Sequence, residues 1–238
     1  MKDRKGSSGR HCPRGLHILY EDEDILVVDK SSGLLTMGTP VKKEQTAYAR
    51  LMNYVRKGNA KSRKRIFIVH RLDRDVSGVL IFAKSYQAKL SLQEHWHDAD
   101  KKYLAIVHGN LTEKAGTITS YLAENASHHV FSVFDKEKGK LSHTVYQVLK
   151  ETKTSSLLEI TLLTGRKNQI RVHLADIGHP VMGDHKYGIR NKTGGRLALH
   201  AFSIAFDHPY SGKRVSFEAP VPEYFKLLLG RQKQNHGQ

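Results

Sequence analysis

Cysteine is nearly absent: Cys12 is the single one in 238 residues, which excludes an internal disulfide and the usual thiolate zinc knuckles. It lies in a leader rich in Gly, Ser, Arg and Lys, so it reads as incidental, and a redox function is not expected. Long apolar runs are also lacking. No stretch reaches the roughly 18 apolar residues of a membrane span, and the charged N-terminus has no apolar core behind it, so neither a span nor a secretory signal is supported and a cytoplasmic protein is expected. Acidic residues are scarce: 23 Asp and Glu stand against 39 Lys and Arg, which leaves a net charge of +16 and a pI near 9.8. Such an excess favours polyanionic partners, nucleic acid ahead of anionic lipid. Histidine is plentiful, but His95-Trp96-His97 and His128-His129, the closest pairs, fit no recurrent ligand spacing and no His-Glu-x-x-His occurs, so no metal site is expected.

The chain is long enough for one sizeable domain. Residues 1–16 read as a basic flexible tail and 230–238 as a polar C-terminal one, with one α+β domain over 17–229. Apolar runs at His17 to Tyr20 and Ile25 to Asp29, parted by four acidic residues, predict a strand pair. Helices are predicted from about Thr46 to Val55, from a Ser85 cap through about His97, from Asn168 to Ile177 and from Pro222 to Leu229. Further strands are expected at Val79 to Ala83, Tyr103 to His108, Thr117 to Leu122, His143 to Leu149, Leu157 to Leu163, Leu199 to Phe206 and Lys213 to Phe217. The basic stretch Arg56 to Arg65 suits a solvated surface or, given its place just before the next motif, phosphate binding.

That motif, His70-Arg71-Leu72-Asp73-Arg74-Asp75-Val76-Ser77-Gly78, runs from a charge-dense loop straight into an apolar strand. Arginines flank Asp73, and nearby cations hold a carboxylate ionised, able to act as nucleophile, base or metal ligand. Two further segments are rich in functional groups: Lys101-Lys102-Tyr103 to Gly109, and Leu163-Thr164-Gly165-Arg166-Lys167-Asn168-Gln169-Ile170-Arg171-Val172-His173.

These three segments resemble, in order, the motifs of the RluA-type pseudouridine synthases. The similarity extends through Tyr20 to Lys30, Gly178 to Asp184, Tyr187-Gly188, Arg196 to Ala201 and Phe206 to Pro209, and so covers nearly all of residues 17–222. The resemblance implies a mixed, largely antiparallel sheet of about eight strands flanked by helices and loops, with a central basic cleft where the motif loops meet. It implies isomerisation of specific uridines to pseudouridine in structured rRNA or tRNA, with Asp73 as nucleophile. Arg171 is expected to face that aspartate and keep it anionic, and Tyr103 to stack on the extruded uracil near the carbon 5 proton. Arg71 matches an arginine that fills the space an extruded base leaves. His70, Arg74, Lys30, Arg166 and His173 are expected to contact phosphate or support the loops. No cofactor and no metal are required, and a monomer is expected.

The chain departs from the family pattern at Val76, where threonine is usual, at Asn168, where histidine is usual, and at Ser31, where proline is usual. The valine leaves one bracing hydrogen bond out of the Asp73 loop. The chain resembles the short, catalytic-domain-only members. A noncatalytic RNA-binding protein has no need of a carboxylate among cations, and a metal-dependent nuclease needs more clustered acids than Asp73 and Asp75.

Overall fold

The computed structural model describes residues 12–38, 45–189 and 195–230. The expected tails therefore fall largely outside the described residues. The elements in chain order are β1 (Leu16–Glu21), β2 (Ile25–Lys30), α1 (Ala47–Arg56), β3 (Phe67–Ile68), β4 (Ser77–Ala83), α2 (Tyr86–Glu94) and β5 (Asp100–His108). They continue with β6 (Ala115–Glu124), β7 (Val130–Val133), β8 (Lys140–Glu151), β9 (Ser155–Leu162), α3 (Gln169–Asp176), β10 (Leu199–Asp207), β11 (Arg214–Glu218) and α4 (Glu223–Gly230). The architecture is α+β, and the chain divides into two compact units.

The first unit holds the residues up to Asp100 together with Ala201–Ala219. Its strands follow the order β1-β2-β4-β10, with β11 on β10 and β3 on the end of β4. Strand β2 pairs antiparallel with β1 (Leu16 opposite Lys30) and with β4 (Lys30 opposite Gly78). All seven residues of β4 are buried. That suits its apolar run from Val79 to Ala83, since both of its faces are covered and no solvent side calls for polar alternation. Ile25, Val27, Val79, Ile81, Ile204 and Phe206 pack into one cluster with Ala88 and Leu92 of α2. Each fully buried aliphatic there contributes about 1.5–3 kcal/mol.

Both helices of this unit begin where the sequence predicts. The Thr46 side chain caps α1 by accepting from the Ala49 N–H at 3.1 Å, and Ser85 caps α2 from Ala88 at 3.0 Å. Ala47, Leu51 and Val55 put one face of α1 into the core. Helix α2 stops at Glu94 rather than His97, because its last turn tightens into short-range bonds, Trp96 N–H to the Gln93 carbonyl and Asp98 N–H to that of His95. Trp96 still packs against the core from outside the helix.

The second unit holds Lys101–His200 and the residues from Pro220. Its strands follow the order β5-β9-β8-β6-β7, antiparallel throughout. Strands β3 and β7 were not foreseen. They are two and four residues long, too short for alternation to register. Helix α3 begins one residue later than expected: Asn168 adopts a left-handed φ of 55° and its side chain makes no capping bond. Gln169 holds the start instead. It is 2% exposed, and its carbonyl oxygen accepts from the Arg166 N–H (3.0 Å) and the Thr164 hydroxyl (2.9 Å) while its amide donates to the His143 carbonyl (2.9 Å) and to Thr144 Oγ1 (3.0 Å). A buried amide so completely paired fixes the loop that precedes it.

Candidate active site

In the first unit the Asp73 loop hangs between two buried anchors, Leu72 at 4% and Val76 at 3% exposure, while Asp73 itself is half-buried. Four consecutive carbonyls of the loop are bound. Thr36 Oγ1 donates to the Leu72 carbonyl (2.8 Å) and accepts from the Leu72 N–H (3.1 Å). The Asp73 carbonyl accepts from Val76 (3.3 Å), that of Arg74 from Gly33 (2.9 Å) and from Lys30 Nζ (3.1 Å), and that of Asp75 from Ser32 Oγ (2.8 Å). Each such bond adds about 0.5–1.5 kcal/mol, so together they define where the carboxylate sits.

Lys30 is the post of this scaffold. It has no exposed surface, and its ammonium donates to the carbonyls of Ser31 (3.1 Å), Leu34 (2.8 Å) and Arg74. Burial pushes it down to about 8, opposed by the carboxylates of Asp75, Asp73 and Asp29. Of the two tasks expected for Lys30, the structure therefore rules out phosphate contact and leaves loop support.

At Gly78 the chain enters β4 with φ +115°, and a Cβ there would lie 2.1 Å from the Ala201 carbonyl oxygen, so only glycine fits. His70 accepts from the Ile81 N–H at 3.1 Å and stacks near Trp96, with ring centres 4.6 Å apart. Arg74 forks onto Asp75, at 3.0 and 3.2 Å, so its guanidinium has a neighbour other than Asp73. Arg71 is exposed.

In the second unit Tyr103 lies on β5 opposite Ile160 of β9 and is half-buried. Arg171, on α3, donates from Nε to Asp184 Oδ2 (2.7 Å), from Nη2 to Asp184 Oδ1 (2.8 Å) and from Nη1 to Asn168 Oδ1 (3.2 Å). Its guanidinium also stands 5.1 Å over the Tyr187 ring. Asp184 has no exposed side-chain surface. Burial pushes its carboxyl up, but the Arg171 bonds and charge, together with the N–H groups of Tyr187 and Lys186, outweigh this and hold it below the usual carboxylate range. The sequence reading gave Asp184 no role. Its signal was an acid between Gly183 and Tyr187-Gly188 in a chain short of acids.

Asn168, one of the departures, thus has two partners, Arg171 and the Tyr187 hydroxyl (3.1 Å). Arg166 is exposed, as a phosphate contact requires. His173 is not: it is fully buried, bridging Ser120 Oγ (3.0 Å) and Thr144 Oγ1 (2.9 Å), and burial lowers its pKa. Of the two tasks expected for it, phosphate contact or loop support, its burial leaves the second.

Among the described residues one group has the spacing of a metal site, Asp22, Asp24 and His208. Asp22 already accepts from the Asp24 and Ile25 N–H groups (2.8 Å each), the Tyr20 hydroxyl (3.0 Å) and His208 Nε2 (2.8 Å), which makes it a corner joining the β1–β2 and β10–β11 turns.

Comparison with known proteins agrees with the fold and the motifs. The chain is similar to the uncharacterized RNA pseudouridine synthase YlyB of Bacillus subtilis, 37% identical over 94% of this chain and 75% of that protein. It is similar to the ribosomal large subunit pseudouridine synthase C of Buchnera aphidicola subsp. Schizaphis graminum, 36% identical over 90% of this chain and 69% of that protein. In structure it resembles human RNA pseudouridylate synthase domain containing 4, with a TM-score of 0.77 over 93% of this chain and 94% of the other; at 23% identity that likeness speaks for the fold alone. The family model described as RNA pseudouridylate synthase matches residues 24–176, from β2 through the Asp73 loop, Tyr103 and Arg171, and the chain belongs to that family.

Proposed function

We propose that this RNA pseudouridine synthase acts on specific uridines of structured ribosomal or transfer RNA, with Asp73 as nucleophile and Tyr103 and Arg171 as its partners in the reaction. The single observation that carries the reading is the mounting of Asp73: a half-buried carboxylate on a loop with four consecutive carbonyls bound, set in a chain of +16 net charge. A solvated surface acid needs no such bracing, whereas a nucleophile gains from being held in one geometry.

In the isomerisation the bond from ribose C1′ to N1 of the base breaks, a bond from C1′ to carbon 5 forms, and the proton of carbon 5 leaves while N1 gains one. There is no net redox change and no cofactor is consumed. Asp73 makes a transient covalent bond, either to C1′ as N1 leaves or to the ring before the C1′–N1 bond breaks, and that bond is broken again once C1′ has joined carbon 5. Tyr103 stacks on the extruded uracil with its hydroxyl near carbon 5, and Arg171 supplies the cation that keeps the carboxylate ionised. The rigid fork of Arg171 on Asp184 supports a fixed cation in this role. Arg71 fills the gap the extruded base leaves, and the exposed Arg74 and Arg166 meet phosphate. Ribosomal RNA of the large subunit is favoured by the names of relatives such as the Buchnera synthase. A cytoplasmic monomer is the setting we propose.

The test is tritium release from ribosomal and transfer RNA labelled at uridine carbon 5 and taken from cells without this gene. Release by the wild type but not by Asp73→Asn is the expected result and names the RNA class. Binding of both RNAs without release from either would replace this reading with that of a noncatalytic RNA-binding protein.

A further inference from the structure

From Thr46 to Arg71 the chain carries eight Lys and Arg and not one Asp or Glu. That run builds a cavity of about 710 Å³ in the first unit, between α1, the loop after it and β3. The residues that line it include Met37, Met52 and Ile68 together with Tyr48, Asn53 and Arg56. The volume is that of a small-molecule site. Apolar surface, an aromatic ring, one amide that both donates and accepts, and a planar cation are together what an unstacked nucleobase requires: a platform for its face and hydrogen bonds for its edge.

The rim supplies the complementary charge. Lys57, Lys61, Arg63, Lys64 and Arg65 are all exposed, and none of them pairs with a carboxylate among the described residues. The loop that carries them is ordered by its own bonds: Asn59 Oδ1 accepts from the Lys61 N–H (3.0 Å), Ser62 Oγ from that of Lys64 (3.3 Å), and Arg56 Nε donates to the Lys64 carbonyl (3.2 Å). Five unopposed cations beside an apolar, amide-bearing hollow suit a phosphodiester chain with a base turned inward.

The cavity is tied to the reactive loop. Met37 follows Thr36, the residue that clamps Leu72, and Leu72 precedes Asp73; two peptide units and one hydrogen-bonded pair separate the cavity wall from the carboxylate. Ile68, another lining residue, lies five residues before Asp73, which at full extension spans no more than about 18 Å.

We propose that this cavity is a second base-binding subsite for substrate RNA: a single-stranded nucleotide near the target uridine places its base against Tyr48, Met52 and Asn53 while its neighbouring phosphates lie on Lys61 to Arg65. This subsite rests on the RNA-modifying reading above and adds a place where that RNA is recognised apart from the reacting base.

Two measurements on the full chain test it. A short single-stranded RNA carrying 4-thiouridine is photocrosslinked to the protein and the attachment mapped by mass spectrometry; the expected site is the peptide Leu51 to Arg56, with the crosslink lost in Asn53→Trp, which fills the mouth. The salt dependence of binding to the same RNA is then compared between wild type and the triple variant Arg63→Ala, Lys64→Ala, Arg65→Ala. All three residues are exposed, so folding is spared, and the log–log slope should fall by about two to three with affinity down about tenfold or more at low salt. An unchanged slope with no crosslink in that peptide overturns the subsite. A reduced slope without the crosslink overturns the base cavity and leaves only a phosphate contact. Tritium release that depends on Asp73 alongside two negative binding results sinks the subsite alone, whereas crosslinking in the cavity without tritium release upholds the subsite and sinks the catalytic reading.

Discussion

Replacing Asp184 by asparagine should be among the costliest isosteric changes in the second unit. Asp184 Oδ1 accepts three bonds, from Arg171 Nη2 and from the N–H groups of Lys186 and Tyr187 (2.9 Å each), while Oδ2 accepts from Arg171 Nε alone. Asparagine keeps those three bonds if its carbonyl takes the Oδ1 position. Its NH₂ then faces the Arg171 Nε–H, donor against donor, where the wild type has a charge-assisted bond of 2.7 Å. Arg171 keeps only 11% of its side-chain surface, so the charge that loses the Asp184 carboxylate is a nearly buried one. Breaking one partner of a buried pair costs about 3–5 kcal/mol; one retained bond places Asp184→Asn near the lower end, about 3 kcal/mol. The assay is urea unfolding, followed by a double-mutant cycle with Arg171→Met. Once Asp184 is asparagine, removing the arginine charge should cost little more, giving a coupling energy of about 2–3 kcal/mol. A loss below about 1 kcal/mol, the range of exposed pairs, would refute the argument. If Arg171 acts beside Asp73 as proposed, kcat for tritium release should fall in Asp184→Asn while RNA affinity holds.

Other consequences follow from the first unit. Gly78→Ala sets a methyl group 2.1 Å from a backbone oxygen at φ +115°, and should destabilise by about 4 kcal/mol or more, read as loss of a cooperative urea transition or of soluble protein. Thr36→Val removes both bonds to Leu72; the cost should be about 2 kcal/mol in urea, with kcat falling more than RNA affinity because the Asp73 loop loses its clamp. The folded value of Lys30, about 8, lies below its unfolded one near 10.5, so over that window the unfolded chain holds a proton that the folded chain has released. Stability from Lys30 must then rise with pH: relative to Lys30→Met, the wild type should gain about 2 kcal/mol between pH 7.5 and 9.5, and a flat difference would refute the assignment. Burial raises the Asp22 carboxyl, but the N–H groups of Ile25 and Asp24, with His208 and Tyr20, hold it below the usual range. Its contribution is present above the unfolded value near 3.8 and is lost as pH falls through the folded one, so Asp22→Asn should flatten the acid limb of the stability profile.

Much of the fold was legible because local chemistry and burial agree. Thr46 and Ser85 cap helices where a hydroxyl precedes an apolar period, and Val79 to Ala83 reads as a buried strand because nothing polar interrupts it. The same locality explains the misses. Strands β3 and β7 are too short for alternation to register and are fixed only by pairing with the neighbouring strands β4 and β6, and the end of α2 is set by a tightened turn that periodicity does not encode.

At the site, the order of motifs along the chain by itself determined the family and singled out Asp73, Tyr103 and Arg171 as candidates, because motif order is a property of the sequence whatever surrounds it in space. It did not separate cations that face solvent from cations that face the protein. Lys30 and Arg71 are both cations of motif segments, yet one is sealed beneath three carbonyls and the other is exposed. Nor did it pair Arg171 with Asp184, thirteen residues away across a loop. Charge and residue type are local properties of a chain; desolvation and hydrogen-bond partnership come from residues brought together by folding, and only the tertiary structure decides them.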